Sequence, residues 1–273
     1  MLKHACLAAA LLAAPSLFAE EPAQTMIVGR SDLKSVYEIS EIRAQRTTLT
    51  RENKFPSEGN VEAGGFYAHD ERMDIERDIL GVSARYGLWE TVTVGAEVPV
   101  VLDSKFNGKS NSGLGDVVLG LDLLAYQDIF RYPFVIPHAE VSLPTGDEDK
   151  GLGSGETIIN LGISVGTKVF DQLTYVVDAS YAFNGASQFA DSDDNQYSLS
   201  GSVVWDISDR FAVLAEGRLY EKLDFMDDNP YEIKGGLVYR LSRNLQLAGY
   251  GGKVDGGMGM DYDQAMLRLN YQF

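Results

Sequence analysis

His138, Glu140 and Ser142 stand two residues apart in the stretch HAEVS, a histidine, a carboxylate and a hydroxyl whose types suit acyl transfer. A base activates a hydroxyl only from about 3 Å. If this stretch is a strand, four residues hold His138 and Ser142 roughly 13 Å apart, so the three groups share a face without sharing a proton. No phosphate loop, metal quartet or nucleotide motif occurs elsewhere. The chain reads as not an enzyme, with an outer-membrane hydrolase as the remote alternative, and no cofactor is expected.

The other chemistry-bearing groups are carboxylates in Gly/Ser/Asp-rich connections. Asp191, Asp193 and Asp194 in DSDDN (191–195) are oxygen-rich enough to hold calcium and bridge an anionic lipopolysaccharide surface. A solvated acidic loop is the competing reading, because the run lacks the spacing of a calcium loop. The formal charge of −17 excludes nucleic acid as a natural partner.

What positions such groups follows from the start of the chain. MLKHACLAAALLAAPSLFA has a basic start, a short apolar run and small Ala19 before Glu20, the pattern of a Sec signal peptide over residues 1–19. The apolar run is shorter than the about 20 residues of a spanning helix. The one cysteine, Cys6, lies within this segment, so the exported part has no thiol. Export into the envelope of a Gram-negative bacterium without a later spanning helix leaves strands to cross any membrane.

From Val61 onward the chain repeats about ten residues of alternating character followed by turn residues. Twelve such runs begin near Val61, Ile75, Thr91, Gly115, Pro133, Thr157, Leu173, Gln196, Phe211, Tyr231, Leu245 and Tyr262. Short links (GLWE, FDQ, SDR, SRN) alternate with longer ones (DSKFNGKSNSG, PTGDEDKGLGSGE, GASQFADSDD, KLDFMDDNP, DGGMGMD). The expected fold is all-β, an antiparallel up-and-down outer-membrane barrel of about twelve strands spanning 59–273, with both termini periplasmic.

The two faces support this. One carries Val92, Val94, Val98 and Val100, then Leu119, Leu121 and Leu123, then Ile159, Leu161 and Ile163, and is free of charge, as lipid demands where a mid-bilayer Lys or Arg costs about 2–4 kcal/mol. Aromatics gather at the short-turn ends (Tyr86, Trp89, Tyr175, Trp205, Tyr239) and at the long-loop ends (Tyr67, Phe183, Tyr197), forming two belts. The opposite face, lining the lumen, carries Glu62, Arg77, Arg85, Glu97, Asp116, Asp122, His138, Glu140, Lys168, Asp178, Glu216, Arg218, Lys234, Arg240 and Arg268. Acids and bases balance along it, without the basic surplus that focuses anions. Two readings fit: a sealed network of ion pairs, making a structural or surface-interaction barrel, or a polar conduit for small solutes with these groups as selectivity residues.

Leu267, Leu269, Tyr271 and the terminal Phe273 alternate to the last residue. They resemble the C-terminal strand by which the barrel-assembly machinery recognises outer-membrane proteins. Residues 20–58 do not fit the barrel pattern. Leu33, Val36, Ile39 and Ile42 recur as on a helix face, and the segment reads as a periplasmic leader, a loose helix or a plug.

ARYGLWETVTVGAEVPVV (84–101), SGLGDVVLGLDLL (112–124) and LPTGDEDKGLGSGE (143–156) resemble the outer-membrane transporter family named for the meta-cleavage pathway of phenol degradation. The resemblance runs from about Phe55 to Phe273. It implies movement of small, aromatic or hydrophobic molecules across the outer membrane, in contact with lipid and lipopolysaccharide.

Overall fold

The structure, a computed structural model, describes residues 55–72, 75–106, 109–128, 131–170, 172–185, 194–224, 226–256 and 261–273. Asp191, Asp193 and the expected leader helix lie outside them; Asp194 is exposed in the segment leading into the strand at Gln196.

Fourteen strands form one antiparallel sheet: β1 (Val61–Arg72), β2 (Ile75–Trp89), β3 (Val92–Phe106), β4 (Lys109–Leu114), β5 (Val117–Leu123), β6 (Tyr126–Gln127), β7 (Phe134–Leu143), β8 (Ile158–Val169), β9 (Leu173–Phe183), β10 (Gln196–Asp206), β11 (Phe211–Tyr220), β12 (Tyr231–Arg240), β13 (Leu245–Asp255) and β14 (Asp261–Gln272). β4, β5 and β6 are pieces of one stave, so the sheet makes a closed barrel of twelve staves.

Closure occurs where the sequence ends. β14 pairs with β1 from Glu62↔Gln272 to Arg72↔Tyr262, and the Phe273 N–H donates to the Val61 carbonyl at 2.9 Å. No backbone edge is left along this seam, as hydrocarbon requires. Outside, Leu121, Leu161, Val177, Ile233 and Leu267 are exposed, and Tyr86, Trp205, Tyr239 and Tyr271 form the short-turn belt.

One connection departs from expectation. DSKFNGKSNSG reads as a long loop, yet β3 continues to Phe106 and β4 begins at Lys109, paired through Lys105↔Ser110 and Phe106↔Lys109. Turn-rich composition gives way here to ladder pairing with a neighbour, which overrides local propensity. A register shift between Val101 and Ser104 absorbs the extra residue.

The loop between β7 and β8 is held by the break between β4 and β5. Asp116 accepts from Gly146 N–H (3.0 Å), Ser154 N–H (2.7 Å) and the Ser154 hydroxyl (2.7 Å), and Thr145 bridges the Gly115 carbonyl and the Val117 N–H. Gly151 and Gly155 take positive φ (68° and 76°), and a β-carbon at Gly153 would come within 2.8 Å of Gly146 Cα. The two glycine-rich motifs are thus two halves of one joint.

Candidate solute passage

Strand alternation turns the even residues of β1 and the odd residues of β2 and β3 inward, and so on around the barrel. The lumen holds a cavity of about 490 Å³ reaching from β1, β2 and β3 across to β11–β14. Its charged lining includes Glu62, Arg85, Glu97, Asp122, Glu140, Glu216, Arg218, Lys234 and Arg268, all from the sequence-derived set.

These charges form stations. Arg85 lies between Glu62 (3.4 Å) and Asp122 (3.7 Å), all three side chains nearly buried. Arg268 reaches Glu97 at 2.5 Å while its guanidinium stacks over the Phe66 ring at 5.3 Å. Lys234 pairs with Glu232, and Arg218 lies over the Tyr220 ring at 5.9 Å. Low local dielectric strengthens such pairs and makes an unpaired member costly.

The opposite wall is different in kind. His138 on β7 and Asp178 on β9 meet at 2.6 Å with side chains 1% exposed, and Ser164 on β8 donates to the same carboxylate oxygen at 2.6 Å. The hydroxyl serves the carboxylate, not the imidazole, so no nucleophile–base pair forms; Ser142, the hydroxyl singled out by spacing, pairs across to Ile158 at the far end of β7.

Toward the short-turn end the lumen turns apolar. Leu124, Phe134, Ile136 and Val176 are buried there against Tyr132 and Phe55, and Val204, Ala212, Leu214, Val238 and Ala248 form a second cluster. Phe55 and the buried Pro56 precede β1, and that segment is fastened to the barrel by Gly59 N–H to the Gly87 carbonyl (2.9 Å) and Gly87 N–H to the Asn60 carbonyl (3.1 Å). Below the cavity Asp206 collects Arg240 at 2.8 Å and Lys168 at 3.8 Å.

Most of the sequence-derived set therefore faces the lumen, but in separate groups. Glu97, Arg85, Asp122 and Arg268 gather at the cavity, His138 and Asp178 sit inside the wall, Lys168 and Arg240 belong to the Asp206 station, and Arg77 pairs across to the buried Ser104 above them. Asp116 is taken up by the loop joint. Sequence reasoning overlooked Asp206 and Glu232, although both share parity with inward neighbours Val204 and Lys234. It also overlooked Phe66, Tyr250 and Phe134, because an inward face was read for its charges alone.

The fold resembles several solved structures. An outer membrane channel from Pseudomonas putida F1 superimposes with a TM-score of 0.62 at 13% identity, over 82% of this chain and 99% of that one. The NanC porin matches with a TM-score of 0.56 at 12% identity (76% and 98% covered), and the KdgM porin with 0.53 at 12% (77% and 99%). No curated protein sequence matches the chain. Residues 46–269 match the family model described as "Putative MetA-pathway of phenol degradation", a span that includes all three motifs and nearly the whole barrel, and the chain belongs to that family.

Proposed function

We propose that this protein is an outer-membrane channel for small solutes, including aromatic or hydrophobic ones, with the lumen cavity as its passage. The observation that carries the reading is the cavity of about 490 Å³ inside a closed barrel, where charged stations stand beside Phe66, Met266 and Tyr250. Its size falls in the range of small-molecule sites, roughly 300–1,000 Å³. Paired charges with aromatic neighbours suit a solute that carries both a polar group and an apolar body. The similarity to porins supports the same reading through the shared barrel.

In this reading residues 1–19 are the cleaved signal, 20–58 the leader, the short turns and both termini face the periplasm, and the long loops meet lipopolysaccharide. Leu267, Leu269, Tyr271 and Phe273 are what the assembly machinery reads. Asp194 is a solvated carboxylate, and no metal or cofactor takes part.

The apolar clusters at the short-turn end favour a second reading, a barrel closed at its base until the segment carrying Phe55 moves. Single-channel recording of the exported protein in a planar bilayer tests both. Discrete conductance steps support an open passage; silence from a folded barrel that begins to conduct on Phe55→Ala supports the closed base; silence from both overturns the channel.

A further inference from the structure

Residues directly opposite each other in an antiparallel pair are close enough for one side chain to lie over the other position. In this barrel the large inward rings repeatedly face glycine: Phe66 opposite Gly81, Phe134 opposite Gly166, His138 opposite Gly162 and Tyr250 opposite Gly236. A β-carbon at Gly81 or Gly166 would overlap the facing ring, and one at Gly236 would stand 2.7 Å from the Gly249 carbonyl oxygen and 2.9 Å from Tyr250 Cδ1. Outward glycines differ, for a β-carbon at Gly65 or Gly201 would meet nothing nearer than a backbone oxygen at 3.7 Å.

Backbone conformation does not account for the inward glycines, since none of these four has a positive φ. Glycine inside a strand costs roughly 0.5–1 kcal/mol relative to alanine, so its recurrence under rings points to space. A ring lying over bare backbone is the cross-strand arrangement that compensates a strand glycine. At the cavity the consequence is specific. Phe66 is 4% exposed, flattened on Gly81 and covered on its lumen side by the Arg268 guanidinium, which is tied in turn to Glu97.

We propose that Gly81 sets the bore of the passage and is a size-determining residue for the solutes it admits. By leaving Phe66 a flat seat on the β2 backbone, it keeps the ring on the wall and lets Arg268 close over it. A side chain at 81 lifts the ring, displaces Arg268 and narrows the cavity. This rests on the reading of the cavity as the passage.

The test uses the full chain carrying Cys6→Ser and Ser83→Cys, because Ser83 lines the cavity two residues from Gly81 on the same face. The new thiol is alkylated with a small and a bulky maleimide. In Gly81→Ala the bulky reagent slows several-fold while the small one keeps its rate. Adding Phe66→Ala restores the bulky rate, and Gly65→Ala changes neither. An unchanged bulky rate in Gly81→Ala, or a loss that Phe66→Ala does not reverse, overturns the proposal.

If Gly81→Ala alone fails to reach the folded, heat-modifiable barrel, the double variant is expected to recover folding, and failure of both overturns the ring seat. Phe66→Ala by itself leaves the bulky rate near that of the parent, because a ring already flat on the wall obstructs nothing; a several-fold rise overturns the proposal. Conductance of the parent is recorded separately. A conducting parent with a failed labelling pattern removes only the role of Gly81, whereas a silent parent with the expected pattern removes the passage and leaves the ring seat standing.

Discussion

Two walls of the same lumen, built from the same alternation, behave as opposites. On β7, β8 and β9 the inward polar groups His138, Asp178 and Ser164 bond to one another within the wall and are almost wholly buried. On β1, β2, β3 and β14 the pairs Arg85–Glu62 and Arg268–Glu97 border a cavity, with Glu97 still 35% exposed. The difference lies in what each group reaches. A short histidine opposite a glycine sinks into the wall, while a long arginine spans from one stave to another along the border of the cavity. The first wall closes on itself, and the second borders the proposed passage.

Breaking the buried wall has the largest expected effect. Asp178→Ala leaves the His138 ring and the Ser164 hydroxyl without their shared acceptor, and should cost about 3–5 kcal/mol, the range for removing one partner of a buried pair. Thermal loss of the folded, heat-modifiable band measures it. A drop as small as that of an exposed pair would mean that water already enters this wall.

The lipid face, common to both walls, comes next. Val177→Arg, beside Asp178 but pointing outward and 47% exposed, should destabilise the barrel by about 2–4 kcal/mol in bilayers. Folding into liposomes reads this directly, and tolerance of the arginine would mean that this strand does not sit at mid-membrane depth.

On the open wall the stability effect shrinks and the functional one grows. Glu97→Gln should change stability by at most about 1 kcal/mol, since the pair is part-exposed. It should lower the preference for cations in reversal-potential measurements by freeing the positive charge of Arg268 at the cavity. Equal loss of stability at Glu97 and Asp178 would erase the contrast between the walls.

The smallest effect belongs outside the membrane. Lys150 donates to Asp147 in the β7–β8 loop and holds that carboxyl below its usual range. Because the folded pKa is depressed, the pair's contribution is present at neutral pH and lost as pH falls through the lowered value. Both side chains are solvent-exposed, at 55% and 41%, so Lys150→Ala should move Asp147 back toward the ordinary carboxylate range, seen by NMR titration, and leave the melting temperature unchanged. A clear destabilisation would show that the loop joint around Asp116 depends on this pair.

Much of this barrel was legible in the residues. Ten-residue alternation, an uncharged face and two aromatic belts are direct imprints of a solvent that is apolar on one side of every strand, so strand starts such as Ile75, Leu173, Gln196, Phe211 and Leu245 were placed from them. The β3–β4 hairpin was not, because Gly, Ser and Asn report local turn preference while ladder partners lie elsewhere in the chain. The inward set was legible as a set. Its division into stations was not, since parity says which side a group takes and nothing about its height or its partner across the lumen.

The sequence by itself determined the membrane face, the stave number and the seam at Phe273, because each follows from a period of two and from the need to pair every backbone group in lipid. Only the tertiary structure decided which charges meet, that Asp116 locks a loop, and that glycines seat the rings of Phe66, Phe134 and Tyr250. Those outcomes depend on the register between strands, and register brings together residues that no local pattern relates.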